Sequence, residues 1–464
     1  MHTLQIISSL SLLLAGAQAQ KKFMMKPENH PKLPTLSCTK DKGCVKQDTA
    51  IVLDSNWRWC HDGSGSNCYT GNKWNEQKCK DSKSCTSQCG LDGAGDYEST
   101  YGISTKGDAL TMKFVTQGQQ KNVGGRVYLL APNSDDKYNM FKMKNKEFTF
   151  DVDVSQLGCG INGALYLTEV QMDEDGGKGK YPTNECGAAY GTGYGDAQCT
   201  HDIKWIGGEA NCENWVPSPS DPNAGTGRFG TCANEMDLWE ANKVSSAYTP
   251  HVCEEKVKGQ YRCEGLECGD NPQNRFGGVC DKDGCDFNSY RMGNDSFYGE
   301  RKIVDTNSKF TVVTQFLTID GTERTPLKEI RRKYIQNGKV IENSKANVPN
   351  LLPYDSISDG FCADQKRVFG DPNDFGKKGG IPRMGDALDR GMVLVLSLWD
   401  DHEQNMQWLD GAYPRGAPEN KPGVKRGTCP RDGGKPSEVE QQQPNAQVVY
   451  SNIRSGDLDS TYRL

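Results

Sequence analysis

Nineteen cysteines in 464 residues constrain this chain more tightly than any other feature. Thiols at that density persist as a disulfide framework only in oxidising surroundings, so the first question is whether the chain is exported. Its start points that way: an apolar run from Leu10 to Leu14 leads to Ala17-Gln18-Ala19, the small-x-small form that a signal peptidase cuts. Residues 1–19 read as a signal peptide, and the mature chain is expected to begin at Gln20. Cys38 and Cys44, Cys79 and Cys85, and Cys263 and Cys268 each bracket a few polar or glycine residues, as stapled loops do. A zinc site is the poorer reading, because none of the six histidines sits in a C-x-x-C…H-x-x-x-H frame. An odd total leaves at least one thiol unpaired within the chain.

No other apolar run approaches the roughly 18 residues that span a bilayer, and the mean hydropathy is −0.74. A soluble, secreted, extracellular protein is expected. The formal charge of −6 is mild, with acids and bases interleaved, which makes nucleic acid and membrane surfaces poor partners. An uncharged polymer, held by stacking and hydrogen bonds, fits better. Neither a cofactor nor a metal is expected, and a monomer is.

Fifty-two glycines, with scattered proline, asparagine and aspartate, cut the sequence into short segments. Within them the period is two rather than 3.6. Phe148, Phe150, Val152 and Val154 alternate with Glu147, Thr149, Asp151 and Asp153, a pattern that predicts a half-buried strand. Strands are also predicted at Ala109 to Val115, Val127 to Leu130, Ala164 to Val170 and Phe310 to Phe316. Met392 to Leu398 is nearly all apolar and so belongs at a sheet centre, while Asn337-Gly338 marks a tight hairpin. Many strands with long connections predict a large all-β sandwich whose loops carry function. No Pro/Ser/Thr-rich spacer divides it, so residues 20–464 are read as one domain, with a short flexible arm including Lys21 to Lys26.

The chemistry concentrates in Glu235-Met-Asp237-Leu-Trp239-Glu240, three carboxylates within six residues. On a strand Glu235 and Asp237 share a face, but Glu240 falls on the other unless a bulge or bend intervenes. A helix serves worse, since positions five apart lie about 140° round its axis. Two carboxyls about 5 to 5.5 Å apart across a glycosidic bond are what retaining hydrolysis needs. Asp237 beside Glu235 would share a proton with it through like-charge repulsion, and partial burial beside Trp239 would keep Glu240 protonated. A solvated acidic strand face describes the run equally well.

Aromatic residues tilt that balance. Trp57-Arg58-Trp59 reads as a strand-like run with two indoles, and Trp399 and Trp408 flank an Asp400-Asp401 turn suited to capping a short helix. Tryptophans exposed in a cleft are flat platforms for sugar rings. His251 is the histidine nearest the acidic run, and Asn294-Asp295-Ser296 is an N-glycosylation sequon expected on a surface loop.

With those residues in view, the chain resembles glycoside hydrolase family 7, the cellobiohydrolases and endoglucanases, over nearly all of its mature length. The resemblance rests on Glu235-Met-Asp237-Leu-Trp-Glu240-Ala-Asn, Asn56-Trp-Arg-Trp59, Gln120-Lys-Asn-Val-Gly124, Asn162-Gly-Ala-Leu-Tyr166, Tyr181-Pro-Thr-Asn184 and Ser397-Leu-Trp-Asp-Asp401. It implies a concanavalin-like β-jelly-roll of two curved antiparallel sheets whose long loops form a substrate tunnel. By the same resemblance Glu235 is the nucleophile, Glu240 the acid/base, Asp237 the support of the nucleophile, and His251 lies near the acid/base. Trp57, Trp59, Trp399 and Trp408 match tryptophans that hold glucose units. Asn162, Tyr166, Asp196 and Gln198 match polar residues near the cleavage point, and Arg275, Asp286, Arg291, Tyr413 and Arg426 match the product side.

Loops that roof the groove separate cellobiohydrolases from open-cleft endoglucanases in this family. Trp215 to Cys232 looks full length, and Glu254 to Gly278 and Asp359 to Gly380 are retained, which favours a tunnel threading cellulose and releasing cellobiose from the reducing end. The competing class is a non-catalytic glucan-binding protein on the same architecture, and the presence of both Glu235 and Glu240 counts against it.

The resemblance also implies eight disulfides: Cys38–Cys44, Cys68–Cys89, Cys79–Cys85, Cys159–Cys429, Cys199–Cys232, Cys253–Cys280, Cys263–Cys268 and Cys285–Cys362. Gly90, Gly195 and Ala233 stand where fungal members carry further cysteines. Cys60, Cys186 and Cys212 remain, with Cys186–Cys212 an extra candidate pair. Gly321 to Arg332, rich in charge, looks like an insertion. No Ser/Thr/Pro linker or small cellulose-binding module is recognised in the sequence, so attachment to crystalline cellulose is expected to depend on the groove.

Overall fold

The period-two runs assemble into two large sheets stacked face to face, as side chains that alternate between a core and an outer face require. The computed structural model describes residues 19–170, 174–271 and 273–462, so all of the expected signal peptide except Ala19 lies outside the described residues. One sheet runs Gly43–Gln47, Thr35–Thr39, Gln447–Asp457, Lys146–Asp153, Phe310–Thr318, Leu327–Gln336, Lys339–Glu342. The other runs Phe287–Asn288, Ser246–His251, Glu235–Ala241, Ile161–Thr168, Met392–Asp400, Gly125–Leu129, Ile51–Leu53. Met392–Asp400 is central, paired on both edges, as its apolar run predicts. Asn337 and Gly338 both take positive φ, 54° and 69°, which a two-residue hairpin of this kind requires.

Phe148, Phe150 and Val152 of the first sheet meet Leu165, Leu167, Leu394, Leu396 and Leu398 of the second in one core, all with 0% exposure. Each such side chain contributes about 1.5–3 kcal/mol by leaving water. The opposite face of the second sheet, carrying Tyr128, Ala164, Tyr166, Val393 and Val395, forms a separate buried cluster under the loops. The jelly-roll sandwich expected from the sequence is the fold.

All eight implied disulfides are present. Two of them bear on the site: Cys199–Cys232 closes just before Glu235, and Cys253–Cys280 just after His251. The extra pair Cys186–Cys212 does not form; Cys60, Cys186 and Cys212 are buried, unpaired thiols.

Two expectations need correction. The N-terminal arm is not loose: the Gln20 amide donates to the Thr183 carbonyl at 2.7 Å, and Lys21–Lys22 runs parallel to Cys89–Leu91. Gly90 permits this, since a Cβ there would lie 2.1 Å from the Lys21 carbonyl oxygen. The strand Lys146–Asp153 is buried on both faces, because Thr461 and Asp459 near the C-terminus cover Glu147 and donate to its carboxylate. Gly321 to Arg332, expected as an insertion, forms a hairpin loop and the first half of the strand Leu327–Gln336, which pairs with Phe310–Thr318. Asp359 to Gly380 is mostly helix, Asp359–Phe369 and Asp374–Lys377, with Phe361, Phe369 and Phe375 in the main core and Asp371 paired with Arg291.

Candidate active site

Strict alternation along Glu235–Ala241 is broken where the sequence demands it. Against Ser246–His251, Asp237 pairs with Thr249 but Glu240 with Ala247, and against Ile161–Thr168, Trp239 pairs with Leu165 but Asp237 with Tyr166. One extra residue therefore sits in this strand relative to both neighbours, a β-bulge. Met236, Leu238, Trp239 and Ala241 all turn into the main core. Consecutive Leu238 and Trp239 on the core side leave Glu235, Asp237 and Glu240 together on the other face. Trp239 is thus not beside the Glu240 carboxylate, as the sequence suggested, but between the sheets, edge-on to Phe150 and Phe310.

The three acids are closely wired. Ala197 donates its backbone N–H to Glu235 Oε2 at 3.0 Å, and Asp237 hydrogen-bonds to Glu235. His251 places Nε2 3.2 Å from Asp237 Oδ2, and its Nδ1 lies 2.9 Å from the Asp281 carbonyl oxygen. A carbonyl only accepts, so Nδ1 carries a proton and Nε2 faces Asp237. His251 thus touches Asp237, stands across the ladder from Glu235, and is near enough to Glu240 for its charge to act on that carboxyl. Asn162 supports Glu240, its amide nitrogen 3.0 Å from Oε1 while its oxygen accepts from the Ala241 N–H.

Burial, then the Asp237 and Asp196 charges, push the Glu235 carboxyl well above the usual range. Asp237 is raised by burial and by Asp196. Glu240 is raised by burial and by Asp237, against the pull of His251 and the Asn162 amide. Like charges this close cannot all ionise, so protons are held among the three.

The flanking residues divide into two sides. Tyr166 hydroxyl meets Tyr194 at 3.0 Å, and Tyr194 donates to Asp196 Oδ2 at 2.8 Å. Arg126 lies over the Tyr194 ring at 3.4 Å and over Trp57 at 5.4 Å, which joins Trp57 to the Glu235 side. Trp57 ends a short 3-10 turn, Ser55–Trp57, capped by Asp54, not the strand expected. Trp59 stacks on His61 at 3.9 Å and donates to Asn67. Gln198 is exposed, its amide on the Lys282 carbonyl at 2.7 Å.

On the other side, Trp399 pairs across the ladder with Asn162 and stacks on Trp408 at 6.1 Å between ring centres. Asp401 accepts from the backbone of Glu403, Gln404 and Met406 and from the Trp408 indole, so it closes the turn before the short helix Gln407–Asp410 and does not cap the helix itself, whose N-cap is Met406. Asp286 ion-pairs with Arg291 and lies 3.8 Å from Arg426, which is over the Tyr413 ring at 5.5 Å. Burial alone would raise Asp286, but Arg291 and Arg426 hold it down at about 2. Arg275 pairs with Asp283 at 2.7 Å, and the Asp283 charge also acts on Arg426. Asn294 lies in a surface turn, accepting from the Ser296 hydroxyl at 3.2 Å.

The loop within Trp215 to Cys232 is tied from two sides at Ser218 to Asn223. Asn72 donates to the Ser218 and Asp221 carbonyls, each at 3.1 Å, and Tyr69 to that of Asn223. From the segment after Trp399, His402 Nδ1 donates to the Ser220 carbonyl at 2.8 Å. Sequence reasoning missed His402, the Ala197 amide, Tyr194 and Arg126. A backbone donor leaves no signal in residue type, and the other three carry no motif.

The description "Glycosyl hydrolase family 7" matches residues 23–462. Among solved structures, a family 7 cellobiohydrolase from Daphnia pulex is 50% identical with a TM-score of 0.93, the match covering 96% of this chain and 100% of that one. A cellobiohydrolase from Melanocarpus albomyces, complexed with cellotetraose, is 46% identical at a TM-score of 0.89 over the same shares. An endocellulase from Humicola insolens, 38% identical, reaches 0.79, again over 96% and 100%.

Proposed function

The chain belongs to glycosyl hydrolase family 7, and on that footing we propose that it is a secreted, retaining cellulase that works as a processive, reducing-end cellobiohydrolase. The observation that carries the proposal is the bulge that gathers Glu235, Asp237 and Glu240 on one face. Glu235 attacks the anomeric carbon while Glu240 protonates the departing glycosidic oxygen, forming a covalent glycosyl-enzyme. Glu240, now a carboxylate, takes a proton from water, which attacks the same carbon and releases Glu235, leaving the β configuration. Asp237, faced by His251, shares the proton that Glu235 must shed before it attacks. Trp399 and Trp408 offer sugar platforms beside Glu240, and Trp57 does so beyond Asp196.

The exo, processive reading is supported by the loop held between Asn72 and His402 and by the higher identity to the two cellobiohydrolases. An open-cleft endoglucanase is the second reading, because an endocellulase shares 38% identity. Glu235→Gln is expected to abolish hydrolysis of cello-oligosaccharides while binding persists in calorimetry. Unchanged turnover in that variant would sink the assignment. On cellulose, a high ratio of soluble cellobiose to new insoluble reducing ends is expected, whereas rapid viscosity loss of carboxymethyl cellulose would favour the endo reading.

A further inference from the structure

A bulge in a central strand frees backbone groups from the ladder, and those groups need other partners. Leu238 is the added residue, and its carbonyl accepts a hydrogen bond from Arg332 Nη2. Arg332 comes from the opposite sheet, at an inward position of Leu327–Gln336, and is 2% exposed. Its guanidinium carbon lies 4.3 Å from the centre of the Tyr248 ring and 5.9 Å from that of Trp239. Tyr248 sits between Ala247 and Thr249, opposite the bulge, so the guanidinium bridges the bulged carbonyl and the neighbouring strand. Among the described residues Arg332 has no ion-pair partner, and its Nε and Nη1 lack hydrogen-bond partners. Burying a guanidinium this way is costly, so ordinary core packing is a poor reason for an arginine at this position.

We propose that Arg332 is a positioning residue, whose guanidinium clamps the Leu238 carbonyl against Tyr248 and so fixes the bulge that turns Glu240 onto the face of Glu235. The inference rests on the reading of Glu240 as acid/base. It acts on the reaction through the angle at which Glu240 meets the departing oxygen, and substrates that need no proton should be indifferent to it.

The test compares kcat/KM, which reports formation of the glycosyl-enzyme, for aryl cellobiosides with good and poor leaving groups. For Arg332→Met we expect a loss of about a hundredfold with a poor leaving group and within about threefold for dinitrophenyl cellobioside, with Arg332→Lys in between. Glu240→Gln is the control. If it shows no leaving-group dependence, the acid/base reading itself fails; if it does and both Arg332 variants lose activity equally on all substrates, or not at all, the clamp is refuted. Should Arg332→Met not fold, Tyr248→Leu removes the ring and keeps the guanidinium, and the same outcomes decide.

Discussion

Arg58 shows how one side chain couples the start of the chain to the groove. It lies between Trp57 and Trp59 with its side chain at 0% exposure, and its charge is met by Glu28 from the N-terminal arm. Burial alone would raise the Glu28 carboxyl, but the Arg58 charge and hydrogen bond hold it below the ordinary 4.5. A carboxyl lowered on folding stabilises fully above its unfolded value and loses that contribution as pH falls through the folded one. Glu28→Gln is therefore expected to cost about 3–5 kcal/mol near neutral pH, by stranding a buried charge, and to flatten the acid side of the stability curve. Urea unfolding at several pH values measures both, and an unchanged midpoint at pH 7 would contradict it. The unpaired cysteines give a second check. Burial pushes the Cys60 and Cys186 thiols up to about 12 and Cys212 to about 11. Thiolate is the reactive form, so a disulfide-exchange reagent should find no reactive thiol in the native protein and three after unfolding.

At the scale of elements, the loop held by His402 is the most exposed to test. A hydrogen bond of this kind contributes about 0.5–1.5 kcal/mol, so His402→Ala should raise the open population by up to about tenfold. Its readout is a lower ratio of soluble cellobiose to insoluble reducing ends with little change on small cellobiosides; an unaltered ratio would mean that the bond does not close the groove. Strands were legible because alternation survives in runs such as Phe148 to Val154, and even the bulge could be inferred, since Glu240 cannot otherwise join Glu235. Of Leu327–Gln336 only the end beside the Asn337-Gly338 hairpin was legible: Arg332 occupies an inward position, and a charge there breaks the apolar period. The Trp57 turn was hidden for a related reason, because its cap is Asp54, outside the run of aromatic residues that drew attention.

Taken whole, the molecule stacks one sheet as a foundation under another whose opposite face carries a buried apolar cluster beneath the loops and, at the bulged strand, the three acids. The cysteine framework was readable as far as the family resemblance reached, and all eight implied bridges formed. The leftover thiols were not readable, because pairing depends on where loops place them and not on spacing. Site residues with motifs around them were found; those defined by contact alone, such as Tyr194 and the Ala197 amide, needed the fold. The central claim is that Glu235 and Glu240 act from one face by double displacement. Proton NMR of the first products from cellohexaose, taken before mutarotation, tests it most directly: the account predicts new reducing ends that appear as the β anomer, and α anomer as the first product would contradict it.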